Sequence, residues 1–554
     1  MRTRRSRIVA SVFLALMLSF MVACGSSGSR EDLGLNAQSS TSTSGSAEDV
    51  GSNEFEAMPV RGGVLTIAEI SDGDTLDPYA SAYANVHQRV GLAASRLLKP
   101  DTTGEYGFGE APLGPDLAEA WDISDDLLTY TFKLREDVFW HDIAPVNGRQ
   151  FTSDDVVASF EKIQADGVQA SMLAHVTEIV APDDFTVVLT LDRPFAPLLS
   201  YMGNHQMWIM PREGIEGLYD MSKVLIGTGP FIMTKWDRDV QTVYEANDNY
   251  YDKDLPYLDK IVMPVIPEQS ARIAAYRSGE IDMIASLTPQ ERELIMASVP
   301  GSYVVEDIGT SPVMMYVNMG RKPFDDVRVR RAISLAVDRV GLGETIFGEG
   351  LLSGPVNSHL ARFALSQDEL SELIPYDPEL ARRLLAEAGY PDGFESSLMV
   401  SSGYGPAYVT AAEWVVADLG DVGIKMNIDV VDQATYSTRR PEVNYDMGVG
   451  PSTPFQEPDE WLRSQYHTGG DRNWWNIDDA TLDEMLDEQA RTVDEDQRIK
   501  LVQDIQRYIL TDVVNPSHLW VANTATIIQP RIKNFAPQPE YGRGYLAYLW
   551  IENS

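Results

Sequence analysis

The chain has 554 residues, of which 44% are hydrophobic, and this is enough for two or three domains with apolar cores. It contains 83 acidic and 44 basic residues, so its net charge is −39 at pH 7, which argues against nucleic-acid binding. The charge fits either a solvated acidic surface or a preference for cationic ligands, and we favour the surface because net charge reports first on solubility. One cysteine excludes a disulfide framework.

The N-terminus predicts an export signal over residues 1–23. Four arginines precede a mostly apolar run at residues 8–23, which is shorter than the roughly 20 apolar residues of a membrane span. The run ends at Met21-Val22-Ala23-Cys24, which resembles the bacterial lipobox. We therefore expect Cys24 to become lipid-modified after cleavage. The alternative is an ordinary signal peptide followed by a buried thiol, and the export route, Sec or twin-arginine, stays open.

Residues 24–57 predict a flexible linker behind this anchor. The segment is dominated by Ser, Gly, Thr, Asn and acidic residues. Such a composition cannot bury enough apolar surface to offset the entropy of ordering. A flexible chain of this length spans roughly 30 Å, which suits a stalk between a lipid anchor and a folded body.

Hydrophobic patterns in the remaining chain predict interspersed strands and helices. Alternating patterns predict strands at residues 62–68, 129–134, 186–191 and 423–431. Helical patterns predict one helix that begins after residue 151 and three more at residues 325–339, 378–388 and 495–510. Thr152 and Asp155 have the spacing of a capping box, and Gly389 is placed to end the third helix. The mixture predicts an α/β fold with mixed sheets and no solenoid repeat.

Ten short segments form a consistent set along residues 60–525. They include Leu117-Ala118-Glu119-Ala120-Trp121 and Gly227-Thr228-Gly229-Pro230-Phe231. The full set is residues 62–67 with 76–78, 117–121, 128–135, 138–142, 151–156, 227–231, 257–261, 277–282, 324–330 and 386–391. In this order they resemble the family 5 extracellular solute-binding proteins, the dipeptide, oligopeptide and nickel receptors of ABC importers.

The resemblance implies a two-lobed α/β fold, similar to the type II periplasmic binding proteins, with an extra domain. Carried over to this chain, lobe I comprises residues 58–105, 223–324 and 525–554. The extra domain is then residues 106–222, and lobe II is residues 325–524. Chain crossings near residues 324 and 525 are expected to form a hinge that closes over the ligand.

The sequence shows no catalytic motif that would favour an enzyme. It lacks a P-loop, a His-Glu-x-x-His motif, a nucleophile elbow and a thiol pair. The seven histidines include no helical i, i+4 pair, so we expect neither a metal site nor a cofactor, and His141 is interpreted as structural. A secreted acid hydrolase is the remote alternative, because 83 acidic residues offer many accidental carboxylate pairs.

The resemblance implies a monomeric receptor that captures a peptide or peptide-like solute and delivers it to ABC permease subunits. The receptor is expected to be exported and held by its lipid at the outer face of the cytoplasmic membrane or in the periplasm. The alternative is a receptor of the same family whose ligand is an oligosaccharide or a metal chelate.

Three segments correspond to ligand-contacting segments of the family. They supply Leu76, Asp77 and Pro78, then Met315, Tyr316 and Asn318, then Ser452, Thr453 and Phe455. Tyr404, Trp474 and Trp475 complete the predicted set, because aromatic faces beside amide or glycine neighbours suit sugar rings or apolar peptide side chains. Trp475 fits a core position equally well.

The loop at residues 448–456 departs from the pattern of peptide receptors. Members of the family commonly place an aspartate there to pair with the ligand's α-ammonium, whereas this loop contains no acid and has Pro454 at that position. Glu457 and Asp459 are the nearest substitutes, although both also fit the role of capping the next helix.

Overall fold

The structure, a computed structural model, describes residues 59–552 except 82, 453, 454 and 471. The predicted signal peptide, the linker and Cys24 lie outside the described residues, as does Thr453. The division into lobes and an extra domain stays a prediction.

Twenty strands are present in the described part of the chain. They are β1 Val64–Thr66, β2 Leu98–Pro100, β3 Leu113–Pro115, β4 Ala118–Ile123, β5 Thr129–Leu134, β6 Val176–Asp183, β7 Thr186–Leu191, β8 Phe231–Asp237, β9 Gln241–Ala246, β10 Lys260–Pro264, β11 Met283–Ala285, β12 Tyr303–Ile308, β13 Val313–Val317, β14 Gly350–Leu352, β15 Phe394–Ser401, β16 Ile424–Val431, β17 Met447–Pro451, β18 His518–Ile528, β19 Ile532–Lys533 and β20 Trp550–Ile551.

Fifteen α-helices accompany these strands in the same described residues. They are α1 Ala84–Ala93, α2 Ser153–Asp166, α3 Leu198–Met202, α4 Arg212–Ile215, α5 Gln269–Ser278, α6 Pro289–Ser298, α7 Val327–Ala336, α8 Arg339–Ile346, α9 Gln367–Leu373, α10 Pro378–Glu387, α11 Pro406–Asp421, α12 Gln433–Arg439, α13 Pro458–Tyr466, α14 Ala480–Arg491 and α15 Glu495–Tyr508.

Two four-stranded sheets organise the first half of the chain. One has the order β1-β10-β9-β8, in which β1 and β10 are parallel and the other pairs are antiparallel. The other has the order β4-β5-β7-β6 and is antiparallel throughout. Strands β5 and β7 occupy the predicted residues, because their alternating side chains place every second residue in the core.

An eight-stranded mixed sheet organises the second half. Its main path is β11-β18-β13-β17-β15-β16, and β12 and β14 also pair with β18. The long strand β18 joins two regions, since its first residues pair with β13 and β14 and its last residues pair with β11 and β12. Strand β13 pairs with β17 inside this sheet, although the predicted boundary at residue 324 assigned it to lobe I.

All five side chains of β13 are buried, and they alternate between two cores. Val313, Met315 and Val317 belong to the core that contains α7, α10 and α11. Met314 and Tyr316 belong to an aromatic core on the opposite face. This alternation follows from the two-residue period of a strand, and it places Met315 and Tyr316 on different sides of the sheet.

The helix predicted at residues 325–339 is divided into α7 and α8. Helix α7 ends at Ala336, and Val337 adopts an extended backbone. The Asp338 carboxylate then accepts a hydrogen bond from Gly341 N at 2.9 Å, which caps the start of α8. Helix α8 has only a weak hydrophobic period, in which Leu342 is buried but Val340 is exposed, so periodicity does not indicate where it begins.

Candidate functional site

A cavity of about 360 Å³ lies between segments from distant parts of the chain. Pockets of roughly 300–1,000 Å³ hold small-molecule ligands in proteins. Its apolar wall includes Leu113, Trp121, Leu199, Leu360 and Phe363, and its polar wall includes Arg362, Gln456, Glu457, Arg498, Gln538 and Glu540. The combination of apolar surface with a few polar groups is typical of a solute-binding cavity.

Hydrogen bonds between side-chain amides and the backbone join segments that line this cavity. Gln456 Nε2 donates to the Pro539 carbonyl at 2.9 Å, and Gly109 N donates to Gln538 Oε1 at 3.2 Å. Gly109 has a φ of +78°, and a Cβ at this position would lie 1.9 Å from the His359 carbonyl oxygen. Any larger residue would therefore push the two segments apart, so glycine is required for this close approach.

Two carboxylates at the cavity wall are each held by a buried arginine. Glu457 pairs with Arg498, and its carboxylate also accepts a hydrogen bond from Asp459 N at 3.0 Å, which caps α13. Glu540 pairs with Arg96 at 3.3 Å and accepts hydrogen bonds from two backbone amides. The polar wall is therefore built from charges that already have protein partners.

Asp459 lies behind this wall and does not line the cavity in the described part of the chain. Its carboxylate accepts a hydrogen bond from Gln489, and Arg463 Nε lies 3.6 Å away. Burial raises the pKa of Asp459 above its usual range. Two residues were considered as substitutes for the missing aspartate. Of these, Glu457 caps α13, and Asp459 belongs to a buried network with Gln489 and Arg463.

Tyr316, Trp474 and Trp475 are brought together in the aromatic core. Ring centroids of Tyr316 and Trp474 lie 6.3 Å apart, and those of Tyr316 and Trp475 lie 5.7 Å apart. Trp475 is fully buried and stacks on Tyr466 with an angle of 9° between the rings, which favours the core interpretation for this residue. Trp474 instead packs against the guanidinium of Arg440, at 3.9 Å from its ring centroid.

Tyr404 joins the edge of this aromatic core. It is half-buried, and its ring contacts Tyr436 edge-on at 5.4 Å between centroids. Tyr436 in turn lies beneath Arg440, whose guanidinium is 5.3 Å from the Tyr436 ring centroid. Three predicted ligand residues, Tyr316, Tyr404 and Trp474, therefore surround or adjoin one arginine that the sequence analysis did not select.

Phe455 and Ser452 lie on the loop that follows β17. Phe455 contacts Trp461 edge-on at 4.8 Å, and its carbonyl is bonded to His359 Nε2 at 2.7 Å. Burial lowers the pKa of His359 to about 4. Ser452 is buried, and its carbonyl accepts a hydrogen bond from Ser311 Oγ at 2.7 Å. This loop runs directly into Gln456 and Glu457 at the cavity.

None of the predicted ligand residues that the structure describes lines the cavity. Leu76 and Pro78 are buried in the first half of the chain, and Asp77 accepts a hydrogen bond from Tyr79 N at 2.9 Å. Asn318 Nδ2 donates to the carbonyls of Val443 and Tyr445. Neither these residues nor Met315 line the cavity within the described chain, so their predicted role in ligand contact has no supporting geometry.

Several cavity residues were not predicted. Trp121 is the last residue of one of the segments that carry the family resemblance, but the local sequence did not indicate that it lines a cavity. Arg498 and Glu540 lie far apart in the sequence, on α15 and near the C-terminus, and only the fold brings them to one cavity. An arginine at an otherwise apolar position of α15 was the available signal for Arg498, which is 5% exposed.

Among the described residues, no set of three or more His, Cys, Asp or Glu side chains is grouped so as to bind a metal ion. Within the same residues, no helix combines the length and the apolar character needed to cross a membrane.

A cavity of this size, lined by segments from distant parts of the chain, is a candidate site for a small-molecule ligand. Residues 112–473 match the model of the bacterial extracellular solute-binding proteins, family 5. The chain belongs to this family, whose members are substrate-binding proteins of ABC importers. The family resemblance and the two-lobed α/β fold are therefore confirmed.

Similar proteins include receptors for different solutes. The heme-binding protein A of Haemophilus influenzae is 29% identical over 81% of this chain and 85% of its own length. The di/tripeptide-binding protein 2 of Pseudomonas aeruginosa is 29% identical over 73% of this chain and 80% of its own length. The structure of the Helicobacter pylori periplasmic binding protein DppA, in complex with the peptide STSA, is 25% identical with a TM-score of 0.70, over 89% of this chain and 99% of that protein.

Proposed function

We propose that this chain is the extracytoplasmic receptor of an ABC importer for a peptide or peptide-like solute, without catalytic activity of its own. Membership of family 5 supports the receptor role, and similarity to di/tripeptide-binding proteins supports the peptide class. The observation that carries the proposal is the cavity of about 360 Å³, which suits a small solute. Delivery then requires that the closed form dock on permease subunits.

The family relationship also supports the predicted lobes, with one change. Strand β13 pairs with β17 and β18 in the sheet of the predicted lobe II. We therefore place the first crossing between β12 and β13, at residues 309–312, rather than near residue 324. We place the second crossing in β18, because this strand pairs with strands of both regions.

Ligand binding is tested by thermal unfolding of the purified protein with a panel of dipeptides, tripeptides, glutathione, hemin and oligosaccharides. A true ligand raises the free energy of unfolding by about 2.7 kcal/mol at a hundredfold excess over its dissociation constant. The bound ligand is expected to be chemically unchanged when it is analysed by mass spectrometry after incubation. Time-dependent products would contradict the receptor role, and stabilisation by oligosaccharides or hemin alone would contradict the peptide class.

The position of the site is tested by filling the cavity. Ala111 lines the cavity, so Ala111→Trp is expected to weaken ligand binding at least tenfold. Ala120 is exposed on β4, which makes Ala120→Trp a matched control that retains affinity. Full affinity in Ala111→Trp, with both variants folded by circular dichroism, would place the ligand elsewhere.

We also propose that Cys24 carries the lipid that holds the receptor at the membrane. Its position after a short apolar run supports this assignment. Cys24→Ser is expected to lose membrane attachment, because each buried methylene of an acyl chain contributes about 0.8 kcal/mol. Partition into a detergent phase measures the loss, and a cleaved variant that stays membrane-bound would contradict lipidation.

A further inference from the structure

The charges that line the cavity are paired within the protein. Every charged side chain that lines it in the described part of the chain has an ion-pair partner. Glu457 pairs with Arg498, and both side chains are buried. Glu540 pairs with Arg96 at 3.3 Å, and these side chains are buried as well. The buried part of the wall therefore offers a ligand no charge that still needs a partner.

The remaining pair, Arg362 with Glu495, is partly exposed to solvent. Its two charged groups lie 2.6 Å apart, and their side chains are 35% and 57% exposed. Water and salt screen charges at such positions, so an exposed pair gives a ligand little charge preference. Selection by charge at this cavity is therefore decided by the buried wall.

The amide side chains of the wall are also engaged within the protein. Gln538 Oε1 accepts a hydrogen bond from Gly109 N at 3.2 Å, and its Nε2 donates to the Tyr106 carbonyl at 3.4 Å. Gln456 Nε2 donates to the Pro539 carbonyl at 2.9 Å. These bonds join wall segments to one another, which leaves fewer polar groups to replace the hydration of an ion.

Apolar surface remains for the ligand. The apolar side chains of the wall are all half-buried, and they are Leu113, Trp121, Leu199, Leu360 and Phe363. Burying apolar or aromatic groups of a ligand against such surface is favourable. An ionised group in the same place loses hydration and finds no unpaired opposite charge among the described residues, which is strongly unfavourable.

We infer that this cavity binds an uncharged, apolar or aromatic side chain of the solute and discriminates against charged side chains at that position. The inference rests on the proposed receptor function and names the chemical class of one group of its ligand. It concerns a side chain and not the charged termini of a peptide.

The test scans trialanine by isothermal titration calorimetry, with norleucine, lysine, glutamine or glutamate at each position in turn. Norleucine and lysine share a four-carbon stem, and glutamine and glutamate have the same shape, so each pair differs mainly in charge. At one position, wild type is expected to bind the norleucine peptide at least tenfold more tightly than the lysine peptide. The glutamine peptide is expected to bind at least tenfold more tightly than the glutamate peptide at the same position.

Substitution of Ser200 tests whether this selectivity belongs to the cavity. Ser200 lies on α3, lines the cavity and is half-buried. Ser200→Asp adds a carboxylate to the wall, so the penalty for lysine is expected to fall below threefold while the penalty for glutamate increases. Ser200→Lys is expected to have the opposite effect. Ser171→Asp is the matched control and keeps the wild-type ratios, because Ser171 is exposed and does not line the cavity.

The outcomes separate this inference from the proposed function. Equal affinity for charged and uncharged side chains at every position would overturn the inference but leave the peptide receptor. Discrimination that stays unchanged in folded Ser200→Asp and Ser200→Lys would overturn the assignment to this cavity. Binding of hemin or an oligosaccharide, with no binding of any tripeptide, would contradict the peptide class and the inference together.

Discussion

Arg498 and Arg440 lie in two polar regions of the same half of the chain, yet their surroundings differ. Arg498 is buried, pairs with Glu457 and receives further support from Gln489, whose Oε1 lies 3.3 Å from Arg498 Nε. Arg440 is half-buried among aromatic rings and has no acidic partner in the described chain. The charge of Arg498 is neutralised by a buried carboxylate, whereas the charge of Arg440 is stabilised by aromatic faces and by hydrogen bonds to uncharged oxygens.

The largest expected effect on stability comes from breaking the ion pair between Arg498 and Glu457. Arg498→Met leaves the buried Glu457 carboxylate without its cation, and we expect the free energy of unfolding to fall by about 3–5 kcal/mol. Urea unfolding followed by circular dichroism measures this loss. Arg362→Gln is the control, because its pair with Glu495 is largely exposed and contributes about 0–1 kcal/mol. Equal losses in the two variants would remove the distinction between framework and surface pairs.

Lowering the pH tests the segment next to the cavity through His359, whose Nε2 is hydrogen-bonded to the Phe455 carbonyl. Burial lowers the pKa of His359 to about 4, whereas the unfolded chain protonates near 6.5. The neutral form therefore stabilises the fold above pH 6.5, and this stability is lost as the pH falls from 6.5 toward 4.

Between pH 7 and pH 5 the contribution of His359 is expected to fall by about 2 kcal/mol. The Asp307 carboxyl, whose pKa burial raises to about 6, acts in the opposite direction. Comparing wild type with His359→Gln in urea at both pH values isolates the histidine. The same pH dependence in both proteins would show that His359 does not titrate as burial implies.

The smallest expected effect is on the stability of Arg440→Met. Loss of the interactions with Trp474 and the two tyrosines is offset by removal of an unpaired charge, so we expect a change within about 1 kcal/mol. Urea unfolding beside Arg498→Met gives the comparison directly. A loss of 3 kcal/mol or more would show that Arg440 belongs to the framework as Arg498 does.

Local patterns predicted the elements whose boundaries depend on local forces. Strands β5 and β7 match their predicted residues because alternation specifies which face of a strand is buried. Helix α10 ends before Gly389, whose φ of +95° is the left-handed conformation predicted for this position. The helix predicted at residues 325–339 ends early, at Ala336, because Asp338 caps a separate helix, α8.

The candidate site could be predicted only in part. A family segment predicted Tyr316, and aromatic residues beside glycine or amide neighbours predicted Tyr404 and Trp474. The structure brings these three residues around or next to Arg440. Arg440 itself was not selected, because its partner Tyr316 lies 124 residues away and nothing in the local sequence links them. Met315 was predicted from the same family segment as Tyr316, whereas the pleat of β13 directs its side chain to the other core.

By itself the sequence determined the α/β class, the family and the absence of an acid in the loop before Glu457, since these depend on composition and order. Only the tertiary structure decided which charges are satisfied. Glu457 is neutralised because α15 brings Arg498 to it, and Arg440 is left with rings because no acid of the described chain folds beside it. Charge pairing depends on distances of a few ångströms between residues remote in sequence, and such distances are a property of the folded chain.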